Sequence, residues 1–312
     1  MMDLAFLLKS YSKDVDYAAR LISSFQKFND EGIHLYCVVP ETDLARFTPL
    51  EGPHVSVLPQ ELLASHLSET PMHGLAPGYI NQEIVKLSFW ELGYAANYFC
   101  VDSDAEFIRP FGVGDFLAPD GYPYTVLVED KDLHVEPRYY REHWIERERQ
   151  LDRIKELVGL HDPITRTCHG HQVFSSAVLA DFRDQFLAPR GWDYSDALAE
   201  SPYEFSWYNF WLQARRTIPI HAREPLVKVF HNEDQHLEHI RRGIRVADVA
   251  RAYVAIVVNS NYSRTIGTID AATSKPDLLA QYLSYGELGQ VLWAKLGETT
   301  RRRWKGMRRS AG

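Results

Sequence analysis

The chain begins with a short continuous apolar run, followed by a segment whose apolar positions recur at helical spacing and then by further apolar runs. Continuous apolar runs are typical of strands buried on both faces of a parallel sheet, and residues 15–28 predict an amphipathic helix packed on such strands. The β-α-β order therefore predicts an α/β fold with a mixed, centrally parallel, Rossmann-type sheet flanked by helices. The apolar runs lie at residues 3–9, 34–40, 55–58 and 98–101.

The second half of the chain carries a different pattern. Residues 130–165 are highly charged, with apolar positions on roughly one helical face, and they predict a helical insertion. Two further apolar runs, at residues 227–230 and 252–258, predict strands. Beyond residue 276, leucines recur at helical spacing. We therefore predict one domain at residues 1–265 and a C-terminal helical appendage with a basic tail at residues 266–312.

Composition and charge narrow the class of protein. The 312 residues are 45% hydrophobic and carry a formal net charge of −8, which favours a globular protein and argues against nucleic acid as a partner. Three cysteines, Cys37, Cys100 and Cys168, lie far apart, as in proteins of a reducing compartment. The sequence shows no signal peptide and no run of about 20 apolar residues. We expect a soluble, cytoplasmic protein.

Two acids directly follow the apolar run that ends at Val101. Asp102 and Asp104 come where the predicted strand ends, at the edge of the sheet where open α/β folds bind ligands. Carboxylate oxygens suit Mg²⁺ or Mn²⁺, which keep positions free for the oxygens of a substrate diphosphate. No glycine-rich dinucleotide fingerprint follows the first strand and no P-loop motif occurs, which argues against dehydrogenases and P-loop enzymes.

The segment around these acids resembles a known family. Residues 101–111, which read VDSDAEFIRPF, resemble the metal-binding segment of GT-A glycosyltransferases, especially bacterial families in which an Arg-Pro-Phe follows the acids. Residues 78–87 are similar to the Gln-x-x-x-Lys-Leu helix of these proteins, with Gln82 and Lys86 on one face. The order of motifs matches over residues 3–265. Further similar segments are the acceptor-side turn at residues 170–176, an acidic segment at 203–205 and a late motif at 260–264.

The resemblance implies a metal site. Asp104 would coordinate the metal directly, and Asp102 would bind either the metal or the ribose hydroxyls of the donor. His231, which follows a predicted strand, resembles the late metal-binding histidine of several GT-A families, including family 8. An imidazole nitrogen beside carboxylates would favour Mn²⁺ over Mg²⁺. The alternative for His231 is a residue that only ends a strand.

Further residues are expected to bind the nucleotide-sugar donor. We expect Lys86 and Arg264 to contact the donor's diphosphate or the acids around its sugar, although a helix-surface ion pair is the alternative for Lys86. Lys9 and Tyr11 follow the first strand, where the resembled family holds its nucleotide base. The alternative for these two residues is a solvated loop.

The acceptor side and the catalytic base are predicted from two polar segments. His171 and Gln172 are candidates to hydrogen-bond sugar hydroxyls, with a turn satisfied by its own contacts as the alternative. Glu204 lies in an aromatic cluster with Trp207, where a carboxylate could act as general base and a ring could stack on a sugar. The alternative is an acid at a helix N-terminus beside aromatic residues that only pack. Glu200 is the second candidate for the base.

Together these features predict metal-dependent transfer of a sugar from a nucleotide-sugar to a glycan or glycolipid, in bacterial surface polysaccharide assembly. A nucleotidyltransferase or sugar-nucleotide hydrolase is a rival, but no glycine-rich, lysine-containing loop follows the first strand. A non-catalytic glycan-binding protein is a second rival.

The C-terminal segment carries an interfacial pattern. Trp293, Trp304 and six basic residues between 301 and 309 accompany the leucine stripe, and they predict peripheral contact with an anionic membrane at the inner face. The alternative is a core-packing helix with a solvated tail. The stripe consists of Leu279, Leu283, Leu288, Leu292 and Leu296.

Overall fold

The computed structural model of the chain describes most of its residues. It covers residues 2–135, 140–168, 170–230 and 233–258, and single helical positions at 286, 288–290, 292–293 and 296–297. The chain divides into two compact units, Met1–Leu226 and Val227–Gly312. The domain limits predicted above, 1–265 and 266–312, remain predictions.

The first unit alternates strands and helices along the chain. Its strands are β1 Met2–Lys9, β2 His34–Val39, β3 Val55–Pro59, β4 Ala95–Val101, β5 Ala105–Phe107, β6 Tyr124–Val126, β7 Val173–Ser175 and β8 His221–Arg223. Its α-helices are α1 Val15–Phe28, α2 Leu44–Phe47, α3 Pro77–Ser88, α4 Lys131–His134, α5 Ile145–Val158, α6 Ser176–Phe182, α7 Tyr194–Glu200 and α8 Glu204–Arg215. The highly charged segment predicted as a helical insertion contains α4 and α5.

A five-stranded sheet lies at the centre of this unit, in the order β3-β2-β1-β4-β7. The strands β3, β2, β1 and β4 pair with one another in parallel, and β7 pairs antiparallel with β4. The predicted mixed α/β fold with a centrally parallel sheet is confirmed, as are the four strands and the helix read from the N-terminal pattern. A separate parallel pair is formed by β6 and β8.

The two faces of the sheet bury different sets of side chains because successive strand residues point to opposite sides. On one face, the ring of Phe6 in β1 lies 5.2 Å from that of Phe25 in α1 and 5.3 Å from that of Phe99 in β4. On the other face, Leu7 and Cys100 belong to the core that includes α3 and α8. The second face therefore brings α3 and α8 beside the end of β4.

The second unit contains β9 Val227–Phe230, α9 Glu233–Arg241, α10 Val246–Val249 and β10 Ala255–Val258. β9 and β10 pair in parallel, and both correspond to apolar runs predicted as strands. His231 and Arg264, predicted to bind the metal and the donor, lie outside the described residues. So do Leu279, Leu283, Trp304 and the basic tail. Among the helices that the structure describes, none is long and apolar enough to span a bilayer.

Candidate active site

Asp102 is the first residue after β4 and lies at the carboxyl edge of the sheet. Its backbone carbonyl accepts a hydrogen bond from the Ala105 amide at 3.0 Å, so the chain turns directly after the strand. One carboxylate oxygen lies 3.3 Å from Lys86 Nζ and the other 3.5 Å from His171 Nε2. Burial by itself would raise the pKa of Asp102, but Lys86 and His171 outweigh it and the pKa lies below its ordinary value. Asp102 is therefore an ionised acid with a cationic neighbour.

Lys86, on α3, is a buried cation surrounded by three carboxylates. Its ammonium group donates a hydrogen bond to Glu204 Oε1 at 2.8 Å and lies 3.3 Å from Asp102 Oδ1 and 3.8 Å from Glu83 Oε2. Burial lowers the pKa of Lys86, but the charges of Asp102, Glu204 and Glu83 raise it well above its ordinary value. The ion pairing given as the alternative for Lys86 is present, including a pair with Glu83 on the same helix, but it is buried and not on the helix surface. Its contact with a donor diphosphate stays a prediction.

Glu204 is the first residue of α8 and is almost completely buried. The aromatic residues that follow it pack inside the protein, and Phe205 places its ring 4.9 Å from the Lys86 ammonium. Glu204 thus lies at a helix N-terminus, which agrees with the alternative interpretation. It also lines a cavity, which a general base requires. Lys86 holds one of its oxygens, which fixes the orientation of the carboxylate.

Glu83 belongs to this cluster and was missed by sequence reasoning. It lies one turn before Lys86 on α3, only 2% of its surface is exposed, and its Oε2 atom has no hydrogen-bond partner. Burial, followed by the negative charge of Glu204, raises the pKa of Glu83 well above its ordinary value, against the opposing effect of Lys86. The signal was present in the sequence: Glu83 sits among Ile80, Ile84 and other apolar residues on the face of the helix that packs on the sheet.

A cavity of about 420 Å³ lies over this cluster. α3 contributes four residues at positions i, i+3, i+4 and i+7, which share one helical face. Arg147 of α5, in the charged insertion, also lines it. The full lining consists of Tyr79, Gln82, Glu83, Lys86, Asp102, Arg147, Cys168, Tyr203, Glu204, Phe205 and Ser206.

His171 and Gln172 come just before β7, beside the end of β4. The Gln172 carbonyl accepts a hydrogen bond from the Cys100 amide at 3.0 Å, which fixes the segment to the sheet. Both side chains are buried, and neither the two ring nitrogens of His171 nor the amide atoms of Gln172 have a hydrogen-bond partner. Burial lowers the pKa of His171, partly offset by Asp102. These side chains are therefore not satisfied by the turn itself, and their role on the acceptor side stays a prediction.

Three other predicted site residues lie away from the cavity lining. Lys9, at the end of β1, is buried and donates a hydrogen bond to the Ser10 carbonyl at 2.8 Å, and burial lowers its pKa to about 8. Tyr11 follows it and is 42% exposed. Trp207 is completely buried and donates from Nε1 to the Ser201 carbonyl at 2.9 Å, so its ring packs in the core and offers no face for a sugar.

The side chains at the sheet edge include ligand types that Mn²⁺ accepts, namely carboxylate oxygens and an imidazole nitrogen. Asp102 offers an oxygen 3.5 Å from His171 Nε2, which has no hydrogen-bond partner, and Asp104 follows in the same turn. Within the described ranges, no group of three or more histidine, cysteine, aspartate or glutamate side chains is arranged to hold a metal ion. His231, the third ligand predicted, is outside those ranges. The metal ligands thus remain predictions.

Comparisons with known proteins place the chain in a family without an assigned function. A family model described as "Family of unknown function (DUF6492)" matches residues 4–243. A search of curated proteins finds no match. The chain is similar to the apo structure of mouse xyloside xylosyltransferase 1, with 10% identity, 83% of this chain and 98% of that chain covered, and a TM-score of 0.45. It is also similar to the apo structure of the bifunctional glycosyltransferase WbbM, with 10% identity, 93% of this chain and 51% of that chain covered, and a TM-score of 0.48.

Proposed function

We propose that this chain, which belongs to the DUF6492 family of unknown function, transfers a sugar from a nucleotide-sugar donor to a glycan or a lipid-linked acceptor. The observation that carries the proposal is the contact of Lys86 with both Glu204, at 2.8 Å, and Asp102, at 3.3 Å, under a cavity of about 420 Å³. This contact joins an acid beside the cavity, suited to take the proton of an acceptor hydroxyl, to the acid at the sheet edge, suited to bind a cation.

In this proposal each carboxylate has its own task. Glu204 accepts the proton of the attacking acceptor hydroxyl while Lys86 holds the carboxylate in place. Asp102 and Asp104, with His231, hold the divalent cation, and Lys9, Tyr11 and Arg264 contact the nucleotide or its phosphates. The cation, Mn²⁺ or Mg²⁺, supplies neutralising charge to the leaving diphosphate. Lys86 is already shared among three acids, so its main effect is to orient Glu204 and Asp102.

Two rival functions use the same residues differently. A nucleotidyltransferase or sugar-nucleotide hydrolase also uses the metal and the nucleotide, but it transfers no sugar to an acceptor hydroxyl, and in a hydrolase Glu204 would take a proton from water instead. A non-catalytic glycan-binding protein needs neither metal nor nucleotide. Glu204, buried next to the cavity and held by Lys86, favours an enzyme over the non-catalytic rival, and turnover with and without an acceptor sugar separates transfer from hydrolysis.

Nucleotide binding is the first test. We expect one of the UDP-, GDP-, CMP- or dTDP-sugars to raise the unfolding temperature of the full chain in the presence of Mn²⁺, since a ligand at a hundredfold excess over its Kd stabilises a protein by about 2.7 kcal/mol. Asp104→Ala should lose the Mn²⁺-dependent part of this shift, because the site gives up a ligand while the strand end loses no core volume. Asp115→Ala, which removes a part-buried ion pair with Arg109 away from the cavity lining, is the matched control.

The outcomes of this screen separate the proposals. If Asp104→Ala binds the nucleotide with unchanged dependence on Mn²⁺, the metal assignment fails. If no nucleotide shifts the wild-type chain with or without Mn²⁺, the transferase proposal itself fails and a glycan-binding protein is favoured.

A membrane contact is the second part of the proposal. In this part the enzyme works in the cytoplasm, at the inner face of the membrane. Its acceptor is a lipid-linked glycan of bacterial polysaccharide assembly. Leu292, Trp293 and Leu296 are 53%, 78% and 65% exposed. Six basic residues follow between positions 301 and 309, with no acid after Glu298. Each basic group near an anionic membrane surface contributes about 1 kcal/mol to the free energy of membrane binding. The C-terminal segment is thus suited to an anionic interface.

Removal of the basic tail should release the protein from vesicles. We expect the full chain to sediment with vesicles that contain phosphatidylserine and a chain ending at Glu298 to remain largely in the supernatant, because six attractive charges are lost. Vesicles of phosphatidylcholine alone are the control for apolar insertion. Equal sedimentation of the two chains with anionic vesicles, or of neither, would exclude the tail as a membrane contact.

A further inference from the structure

A buried acid and a buried guanidinium group line the cavity, and one polar atom of each makes no hydrogen bond. Glu83 presents Oε2 and Arg147 presents Nε, and neither atom makes a hydrogen bond. The two residues are only 2% and 5% exposed. A buried polar atom without a partner costs free energy, so such atoms are normally paired by protein, water or ligand. The cavity therefore has an unused acceptor and an unused donor in its wall.

Two tyrosines complete the wall. Tyr79 lies one turn before Glu83 on α3 and is 46% exposed, so its ring borders both the cavity and solvent. Tyr203, which directly precedes Glu204, stacks under Arg147, whose guanidinium carbon lies 4.5 Å from the ring centroid. This stacking holds the guanidinium plane against the ring, and Nε makes no hydrogen bond. An exposed ring beside buried donors and acceptors is suited to a ligand that has both an apolar face and hydroxyls.

We propose that Tyr79, Glu83, Arg147 and Tyr203 form the subsite for a pyranose ring of the acceptor, beside Glu204. Arg147 Nε donates to a ring hydroxyl, Glu83 Oε2 pairs with a second hydroxyl, and Tyr79 covers the apolar face of the sugar. The volume of about 420 Å³ is within the range of pockets for small ligands, roughly 300–1,000 Å³. The inference rests on the proposed function only in naming the sugar as the acceptor.

Charge in the subsite favours an uncharged sugar hydroxyl over an acidic group. Three carboxylates, Glu83, Glu204 and Asp102, surround one ammonium, so the cluster retains a proton or stays net negative. The raised pKa of Glu83 agrees with a proton held there. A neutral Glu83 carboxyl can donate with one oxygen and accept with the other. Glu83→Gln keeps both capacities, whereas Glu83→Ala removes them.

Binding of simple pyranosides tests this subsite without knowledge of the natural acceptor. The probes are p-nitrophenyl glucoside, galactoside, mannoside and N-acetylglucosaminide, observed by saturation-transfer NMR on the full chain both alone and with Mn²⁺ and any nucleotide found in the donor screen. For the pyranoside that binds, we expect Tyr79→Ala to weaken Kd about 2- to 12-fold. Arg147→Met should weaken it on the order of 10- to 100-fold. Glu83→Gln should bind like wild type and Glu83→Ala more weakly.

Controls separate this inference from the proposed function. Tyr122→Ala removes a similarly exposed tyrosine that does not line the cavity and should leave binding unchanged. The subsite is overturned if no pyranoside binds wild type, or if Tyr79→Ala and Arg147→Met both bind as wild type does. If Arg147→Met does not fold, Tyr79→Ala decides, because its ring is half-exposed. If a nucleotide raises the unfolding temperature but no pyranoside binds, only the subsite is rejected. Pyranoside binding without any nucleotide shift rejects only the transferase.

Discussion

Lys86→Met is expected to lower the free energy of unfolding by about 3–5 kcal/mol at pH 7. Methionine nearly preserves the volume of the side chain, so the cost is electrostatic rather than a cavity. It arises because Asp102 and Glu204 lose the cation between them, and the almost completely buried Glu204 side chain keeps no other cation in hydrogen-bond contact among the described residues. Urea unfolding of the wild type and the variant at the same pH measures the difference.

The dependence of this cost on pH gives a second measurement. The pKa of Asp102 is depressed in the folded protein, so its contribution to stability is present above its ordinary value of about 3.9 and is lost as the pH falls through the lower folded value. In Lys86→Met the contribution of Asp102 to stability is absent at neutral pH. Protonation of Asp102 removes its unpaired charge and so reduces the destabilisation of the variant. The difference between the two proteins should therefore shrink as the pH falls below about 4.

A surface lysine provides the matched control. Lys131 lies 3.1 Å from Glu129 and its side chain is 76% exposed, so Lys131→Met removes an ion pair that water already screens. We expect a change of less than about 1 kcal/mol. Equal, small effects of Lys86→Met and Lys131→Met would contradict the role of Lys86 as the cation that holds the cluster together.

Glu204→Gln is expected to keep donor affinity and to lower kcat by a factor on the order of 10² to 10⁴. The amide oxygen of glutamine still accepts a hydrogen bond from Lys86, so the fold and the donor side of the site are retained. The glutamine amide cannot take the proton of the attacking hydroxyl group, so only the chemical step is slowed. Turnover of the donor found in the thermal-shift screen, together with its Kd for wild type and variant, separates binding from catalysis.

Glu200→Gln is the control of the same chemistry. Glu200, the second candidate for the base, accepts a hydrogen bond from Arg153 at 2.9 Å on the surface and does not line the cavity. Its replacement should leave kcat near the wild-type value. Near-normal turnover of Glu204→Gln would instead reduce Glu204 to an N-terminal helix acid within packed aromatic residues.

Local sequence pattern determined much of the fold. The continuous apolar runs of β1 to β4 and the helical spacing of α1 are properties of neighbouring residues, because strand and helix periods repeat within a few positions. The helix predicted at residues 15–28 begins and ends at those residues in the structure. The position of Asp102 at a sheet edge also follows from pattern, since the acid comes directly after a buried run.

Tertiary structure alone decided which acids share a cation and which aromatic residues line the cavity. Lys86 and Glu204 are 118 positions apart, and no periodicity links them; they meet because α3 and α8 pack on the same face of the sheet. The same packing buries Trp207 in the core while it leaves Tyr79 half-exposed at the cavity. Residue type indicates that an acid or a ring can serve a site, but its burial and its partners depend on long-range contacts that only the folded chain forms.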